Sequence, residues 1–77
     1  MKVLVRAHSL FQEILGKELL VEVEEGATIR DLLMRLLKGL EYRGVTPIIL
    51  VNHERAGLEH VLKDKDIVDL APPFSGG

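Results

Sequence analysis

Thr28-Ile29-Arg30-Asp31-Leu32-Leu33-Met34-Arg35-Leu36-Leu37-Lys38-Gly39-Leu40 carries the helical period of this chain. Ile29, Leu32, Leu33, Leu36, Leu37 and Leu40 fall at i, i+3, i+4, i+7, i+8 and i+11, which is one apolar stripe, while Arg30, Asp31, Arg35 and Lys38 point away from it. Thr28 and Asp31 have the spacing of a capping pair: a hydroxyl accepts an orphan amide of the first turn, and an acidic group sits there to meet the positive end of the helix dipole. Each stripe residue contributes about 1.5–3 kcal/mol when fully buried, before chain entropy offsets most of it. The stripe therefore predicts the main cover of a hydrophobic core. Gly39 or Gly44 could close the helix in a left-handed cap, and the spacing leaves both open.

Upstream of this helix, Lys2 to Ala7 alternates with Val3, Val5 and Ala7 on one face, and Glu18 to Glu24 alternates with Leu19, Val21 and Val23 together. Both stretches predict strands. The link between them, about ten residues ending in Gly16-Lys17, is too long for a two-residue turn and predicts a wider loop joining an antiparallel pair. Downstream, Pro47-Ile48-Ile49-Leu50-Val51-Asn52 is a continuous apolar run that predicts a strand buried on both faces or in the middle of a sheet. Asn52 to Gly57 reads as a turn, Leu58 to Leu62 as a short strand-like piece, and Asp64-Lys65-Asp66 as a second turn. Ile67 to Ala71 follows as a last strand. Strand, strand, helix, strand, short element, strand is the order of an α+β roll of the β-grasp, ubiquitin-like kind. It predicts a mixed sheet of four or five strands, first and last paired centrally, with one main helix packed on one face.

The composition admits a small folded unit and excludes several functions. The chain has 77 residues, of which 47 % are hydrophobic and 29 % charged, with a net charge of -2. That is a globular balance with room for a single domain. There is no cysteine, which excludes disulfides, thiolate zinc sites, iron–sulfur clusters and a cysteine nucleophile. One Tyr, two Phe and no Trp offer neither a basic stripe nor a stacking platform, so nucleic acid is not an expected partner. Val3-Leu4-Val5 is interrupted at Arg6, far short of a signal-peptide core or a membrane span, and the expected compartment is the cytoplasm.

Few residues have the look of chemistry. His8, His53 and His60, with Glu54 and Glu59, lack metal-ligand spacing and read as solvated polar groups. Asp64, Asp66 and Asp69 are interleaved with lysines and read as a charged turn. No phosphate-binding glycine loop, dinucleotide fingerprint or nucleophile elbow occurs. What remains is the ending, Pro72-Pro73-Phe74-Ser75-Gly76-Gly77. Two prolines stiffen the exit from a strand, and the four residues after Pro73 extend at most about 13–14 Å, enough to enter a narrow channel in another protein. The expected organisation is a domain over 1–73 and a flexible tail over 74–77, mobile alone and ordered in a partner. A terminal carboxylate can be activated by adenylation and then opened by a sulfur donor, and glycines allow close approach.

The chain resembles the MoaD family, the small subunit of molybdopterin synthase, among the ubiquitin-like sulfur carriers that also include ThiS. The resemblance rests on Leu10-Phe11-Gln12-Glu13-Ile14-Leu15-Gly16, Thr28-Ile29-Arg30-Asp31-Leu32-Leu33, Val51-Asn52, Asp64-Lys65-Asp66-Ile67-Val68 and, above all, the P-P-x-[S/T]-G-G ending at Gly77. Ala7-His8, Ser9 and Gln12 depart from the family's usual residues. The resemblance implies that Gly77 is adenylated and then converted to a thiocarboxylate, and that Phe74, Ser75, Gly76 and Gly77 bind inside a partner. The implied partners are a molybdopterin synthase large subunit (MoaE-like), a ubiquitin-activating-type adenylyltransferase (MoeB-like) that uses ATP, and a sulfur donor protein. This chain itself would bind no cofactor and would be the non-catalytic, sulfur-donating subunit. Leu4, on the sheet face away from the helix, is an expected docking contact, and the Glu-rich second strand an expected face for a basic partner. Three other roles fit the same ending or fold: a protein modifier joined through Gly77 to lysines, a sulfur carrier for transfer RNA or thiazole, and a passive binding domain.

Overall fold

The computed structural model describes residues 1–74. Strand β1 (Lys2–Ala7) leads through a 3-10 turn (Ser9–Phe11) and a one-turn helix α1 (Gln12–Leu15) into strand β2 (Glu18–Glu22). Helix α2 (Ile29–Leu36) follows, then β3 (Ile48–Val51), β4 (Glu54–Arg55) and β5 (Ile67–Ala71). The sheet order is β2-β1-β5-β3-β4. β1 runs antiparallel to β2 and parallel to β5, while β3 is antiparallel to both β5 and β4. The last strand thus lies at the centre of a mixed sheet beside the first, which is the β-grasp arrangement expected from the order of elements.

The core lies between this sheet and α2. Val3, Val5 and Ala7 of β1, Val21 of β2, Ile49 and Val51 of β3, and Val68 and Leu70 of β5 are buried against Ile29, Leu32 and Leu33 of the helix. The helix begins where the sequence places it. The Thr28 hydroxyl accepts from the Asp31 amide at 3.2 Å and the Asp31 carboxylate accepts from the Thr28 amide at 2.9 Å, a reciprocal capping box.

Four local expectations are corrected by the fold. The helix ends at Leu36, before either glycine, because Lys38 takes the left-handed conformation at φ 58 and turns the chain back. Leu37 and Leu40 therefore complete the stripe from the turn rather than from the helix. Gly44, at φ 76, serves instead in a tight turn closed by hydrogen bonds between Tyr42 and Val45. The link between the first two strands is not open loop: Phe11 is fully buried and organises two short helical turns around itself. The predicted 52–57 turn contains a strand, since Asn52 and His53 both adopt positive φ and form a two-residue hairpin that pairs Val51 with Glu54. Finally, of the two placements open to the apolar run, β3 takes the one in the middle of the sheet, between β5 and β4, and not the one buried on both faces: Ile49 and Val51 face the core, while Ile48 and Leu50 are half-buried on the far side.

Candidate functional site

The C-terminal segment leaves the fold from its middle. β5 is held by β1 on one side and β3 on the other up to the pairing of Ala71 with Ile48, and the His8 amide donates to the Leu70 carbonyl at 2.9 Å. Pro72 and Pro73 follow at once. Lacking an amide hydrogen, neither can continue the ladder, so pairing ends there. Pro72 is half-buried, Pro73 exposed, and Phe74 is 50 % exposed, a large apolar ring largely open to solvent. Of the sequence-predicted site residues, Phe74 is therefore placed at the strand exit, while Ser75, Gly76 and Gly77 lie outside the described residues.

Beside this exit, on the sheet face away from α2, a polar cluster spans β1 and β5 that the sequence reading did not assemble. Asp69 is buried, and its carboxylate accepts from Arg6 Nε at 2.9 Å and Nη2 at 3.0 Å in a two-pronged pair. The His8 ring nitrogen Nε2 lies 2.8 Å from the same carboxylate. Burial pushes the Asp69 carboxyl up and is the largest single influence on it. Hydrogen bonds and attraction from Arg6 and His8 together outweigh burial and hold it below the ordinary carboxylate value. The Asp69 hydrogen bond and charge likewise hold the Arg6 guanidinium in its charged form. Arg6 near the end of β1 and His8 just beyond it stand two apart, a spacing visible in sequence. Their meeting with Asp69, 63 and 61 positions away, depends on the parallel register that sets Arg6 against Asp69.

The other acidic candidates have structural work. Asp66 is buried and accepts from Asn52 Nδ2 at 2.9 Å and from the Lys63 amide at 2.8 Å, while Asn52 Oδ1 accepts from the Ile67 amide at 2.9 Å. The end of β3 is thereby clamped to the start of β5, which joins the Val51-Asn52 and Asp64-to-Val68 motifs in space. Asp64 accepts from the Lys2 amide, and Glu59 pairs with Arg30. Among the described residues no three His, Asp or Glu side chains are grouped to hold a metal ion. Gln12, one of the departures from the usual residues, donates to the Ala7 carbonyl at 3.1 Å and ties α1 to the end of β1.

Further along the same face, Leu4, Leu20 and Ile67 form an apolar row across β2, β1 and β5. They floor an open groove of about 570 Å³ rimmed by Lys2, Glu22, Asp64 and Lys65. Leu4 is thus half-buried in a groove rather than packed in the core. Among the described residues no helix is long and apolar enough to cross a membrane.

The ThiS family model matches residues 9–77. Among curated proteins none matches in sequence. Among solved structures, the chain is similar to a Pyrococcus furiosus protein provisionally described as molybdopterin converting factor subunit 1, at 30% identity and TM-score 0.80, over 96% of this chain and 99% of that one. It is similar to a Helicobacter pylori structure of subunits 1 and 2 of molybdopterin-converting factor in complex, at 28% identity and TM-score 0.70, with both chains fully covered at 100%. It is also similar to small archaeal modifier protein 1 of Methanosarcina acetivorans, at 29% identity and TM-score 0.71, over 99% and 96% of the two chains. With the family match running through the central strand to the diglycine ending, and the fold shared with these structures, the chain belongs to the ThiS family of ubiquitin-like sulfur carriers.

Proposed function

We propose that this chain is the sulfur-carrying small subunit of a molybdopterin synthase. The observation that carries the reading is the position of the Pro72-Pro73-Phe74-Ser75-Gly76-Gly77 ending directly after the central strand β5. The chain leaves the middle of the sheet through Pro72 and Pro73, which stiffen that exit. Residues 74–77 act as the tail and 1–73 as the body that a partner grips. The similarity to molybdopterin converting factor subunits supports the pterin pathway as recipient.

In this reading an oxygen of the Gly77 carboxylate attacks the α-phosphate of ATP on a separate activating enzyme, and pyrophosphate leaves. Sulfur delivered by a donor protein at the sulfide level then attacks the acyl carbon, the acyl–oxygen bond to the nucleotide breaks and AMP departs, which leaves a thiocarboxylate. Within the large subunit, Phe74 and Ser75 anchor the tail and Gly76 lets it pass through a narrow channel. The thiocarboxylate sulfur attacks a carbon of the pterin precursor as a carbon–oxygen bond of that carbon breaks and its oxygen leaves, and water then cleaves the acyl–sulfur bond to restore the Gly77 carboxylate. The acid–base groups and the pterin pocket belong to the partner, and this chain contributes sulfur and docking.

Intact mass of the chain from sulfur-replete cells tests the reading. The expected result is a mass increase equal to one oxygen replaced by sulfur at Gly77, together with retention of a synthase-like large subunit. Gly77 deletion should abolish pterin sulfuration. An unshifted mass with ladders of covalent conjugates would instead favour the second reading, a protein modifier, which the similarity to the Methanosarcina modifier supports.

A further inference from the structure

The two outer strands of the sheet are unlike. β4 is two residues long, whereas β2 is a five-residue strand with no further strand beside it among the described residues. Backbone hydrogen bonds join Met1 to Val23 and Ala7 to Lys17, so the odd-numbered residues of β2 turn their polar groups toward β1. By the alternation of an antiparallel ladder, the N–H and C=O groups of Glu18, Leu20 and Glu22 point out of the sheet. Such an edge is a template for another strand.

The edge is chemically selective. The side chains of Glu18, Leu20 and Glu22 stand on the face away from α2, and Leu20 is 61% exposed. From Lys17 to Glu25 there are four glutamates and one lysine, a local charge of −3 against -2 for the whole chain. Arg6, opposite Glu18, is already held by Asp69, and the Met1 amino group lies 3.7 Å from Glu22. Arg35 of α2 donates to the outward Glu22 carbonyl at 2.6 Å, so a cation already sits on this edge from within the chain. A second copy of β2 is disfavoured: antiparallel pairing about Leu20 sets Glu18 against Glu22 of the other copy twice, and like charges directly opposite are destabilising. Nucleic acid is repelled by the same carboxylates.

We propose that the open edge of β2 receives an extended segment of a partner protein as an added strand. That segment carries basic, apolar and basic side chains at alternate positions, opposite Glu18, Leu20 and Glu22. The apolar side chain extends the Leu20–Leu4–Ile67 row, the basic ones meet the glutamates, and the pattern reads the same in either strand direction. Arg35 marks the end of the row, so the ladder forms on the polar groups of Glu18 and Leu20 and the Glu22 amide. This docking does not depend on what the tail carries.

The test uses the full isotope-labelled chain and a short blocked peptide with a lysine–threonine–valine–threonine–lysine centre. Amide resonance shifts should concentrate at Glu18, Leu20 and Glu22, and binding should weaken as salt is raised. It should weaken about tenfold or more for a peptide with glutamate in place of both lysines, and it should also weaken for the isosteric Glu18→Gln/Glu22→Gln double variant, which places no like charges opposite Arg6 or Lys2. Equal binding of the two peptides, shifts that bypass the edge amides, or no binding at all would overturn the proposal. Because the readout is binding at the edge and not thiocarboxylate formation, its failure leaves the sulfur-carrier reading untouched.

Discussion

Asp69 sits between the Arg6 guanidinium and the His8 ring on a strand whose other side is core, so its removal strands the Arg6 charge rather than exposing it. Asp69→Ala leaves Arg6 and His8 without their shared acceptor and is expected to lower the unfolding free energy by about 1–3 kcal/mol in urea titrations at neutral pH. The pH dependence has a definite sign. The folded carboxyl titrates below its ordinary value of 3.8, so its stabilisation is complete above that value and is lost as pH falls through the folded one. The gap between wild type and Asp69→Ala should therefore be flat at neutral pH and close in acid, below about pH 4. A gap that stayed constant into strong acid would show that the cluster acts by packing alone.

At the scale of elements, α2 is short and depends on its ends. At eight residues, it is well below the length at which an isolated helix is stable in water, so packing and capping must hold it. Thr28→Ala removes the hydroxyl half of the capping box and should cost about 0.5–2 kcal/mol, measured by urea denaturation with an unchanged slope. Thr28 also bridges to Val61, and the Ile29 amide donates to the His60 carbonyl at 3.0 Å. Opening of this end should thus appear in hydrogen exchange of both segments together. The start of this helix was legible because capping is local chemistry. Its end was not, because Lys38 takes a conformation that glycine normally supplies.

For the whole molecule, Phe11 is the test of how small the margin is. A chain of 77 residues has about 4–12 kcal/mol of total stability at ordinary values per residue. Phe11 is completely buried and its ring lies 6.3 Å from that of Tyr42. Phe11→Ala should cost about 3–5 kcal/mol, a large part of the total. A fall in thermal midpoint well beyond that of Thr28→Ala is expected in calorimetry. A mild effect would mean that the 8–17 link folds independently of the core.

Local sequence was enough for β1, β2 and β5 from their alternation, β3 from its apolar run, the helix start from Thr28 and Asp31, the α+β order and the diglycine ending, because each rests on residues that are neighbours along the chain. Only the tertiary structure decided that Phe11 belongs to the core, that Asn52 clamps Asp66, and that Arg6, His8 and Asp69 converge beside the tail exit. It also decided that the Glu-rich strand has an open edge. These last relations join residues up to 63 positions apart. The Arg6–His8–Asp69 cluster comes into being when β5 inserts beside β1 in parallel register, and the Asn52–Asp66 clamp when β5 pairs with β3; no local period in the sequence encodes either pairing.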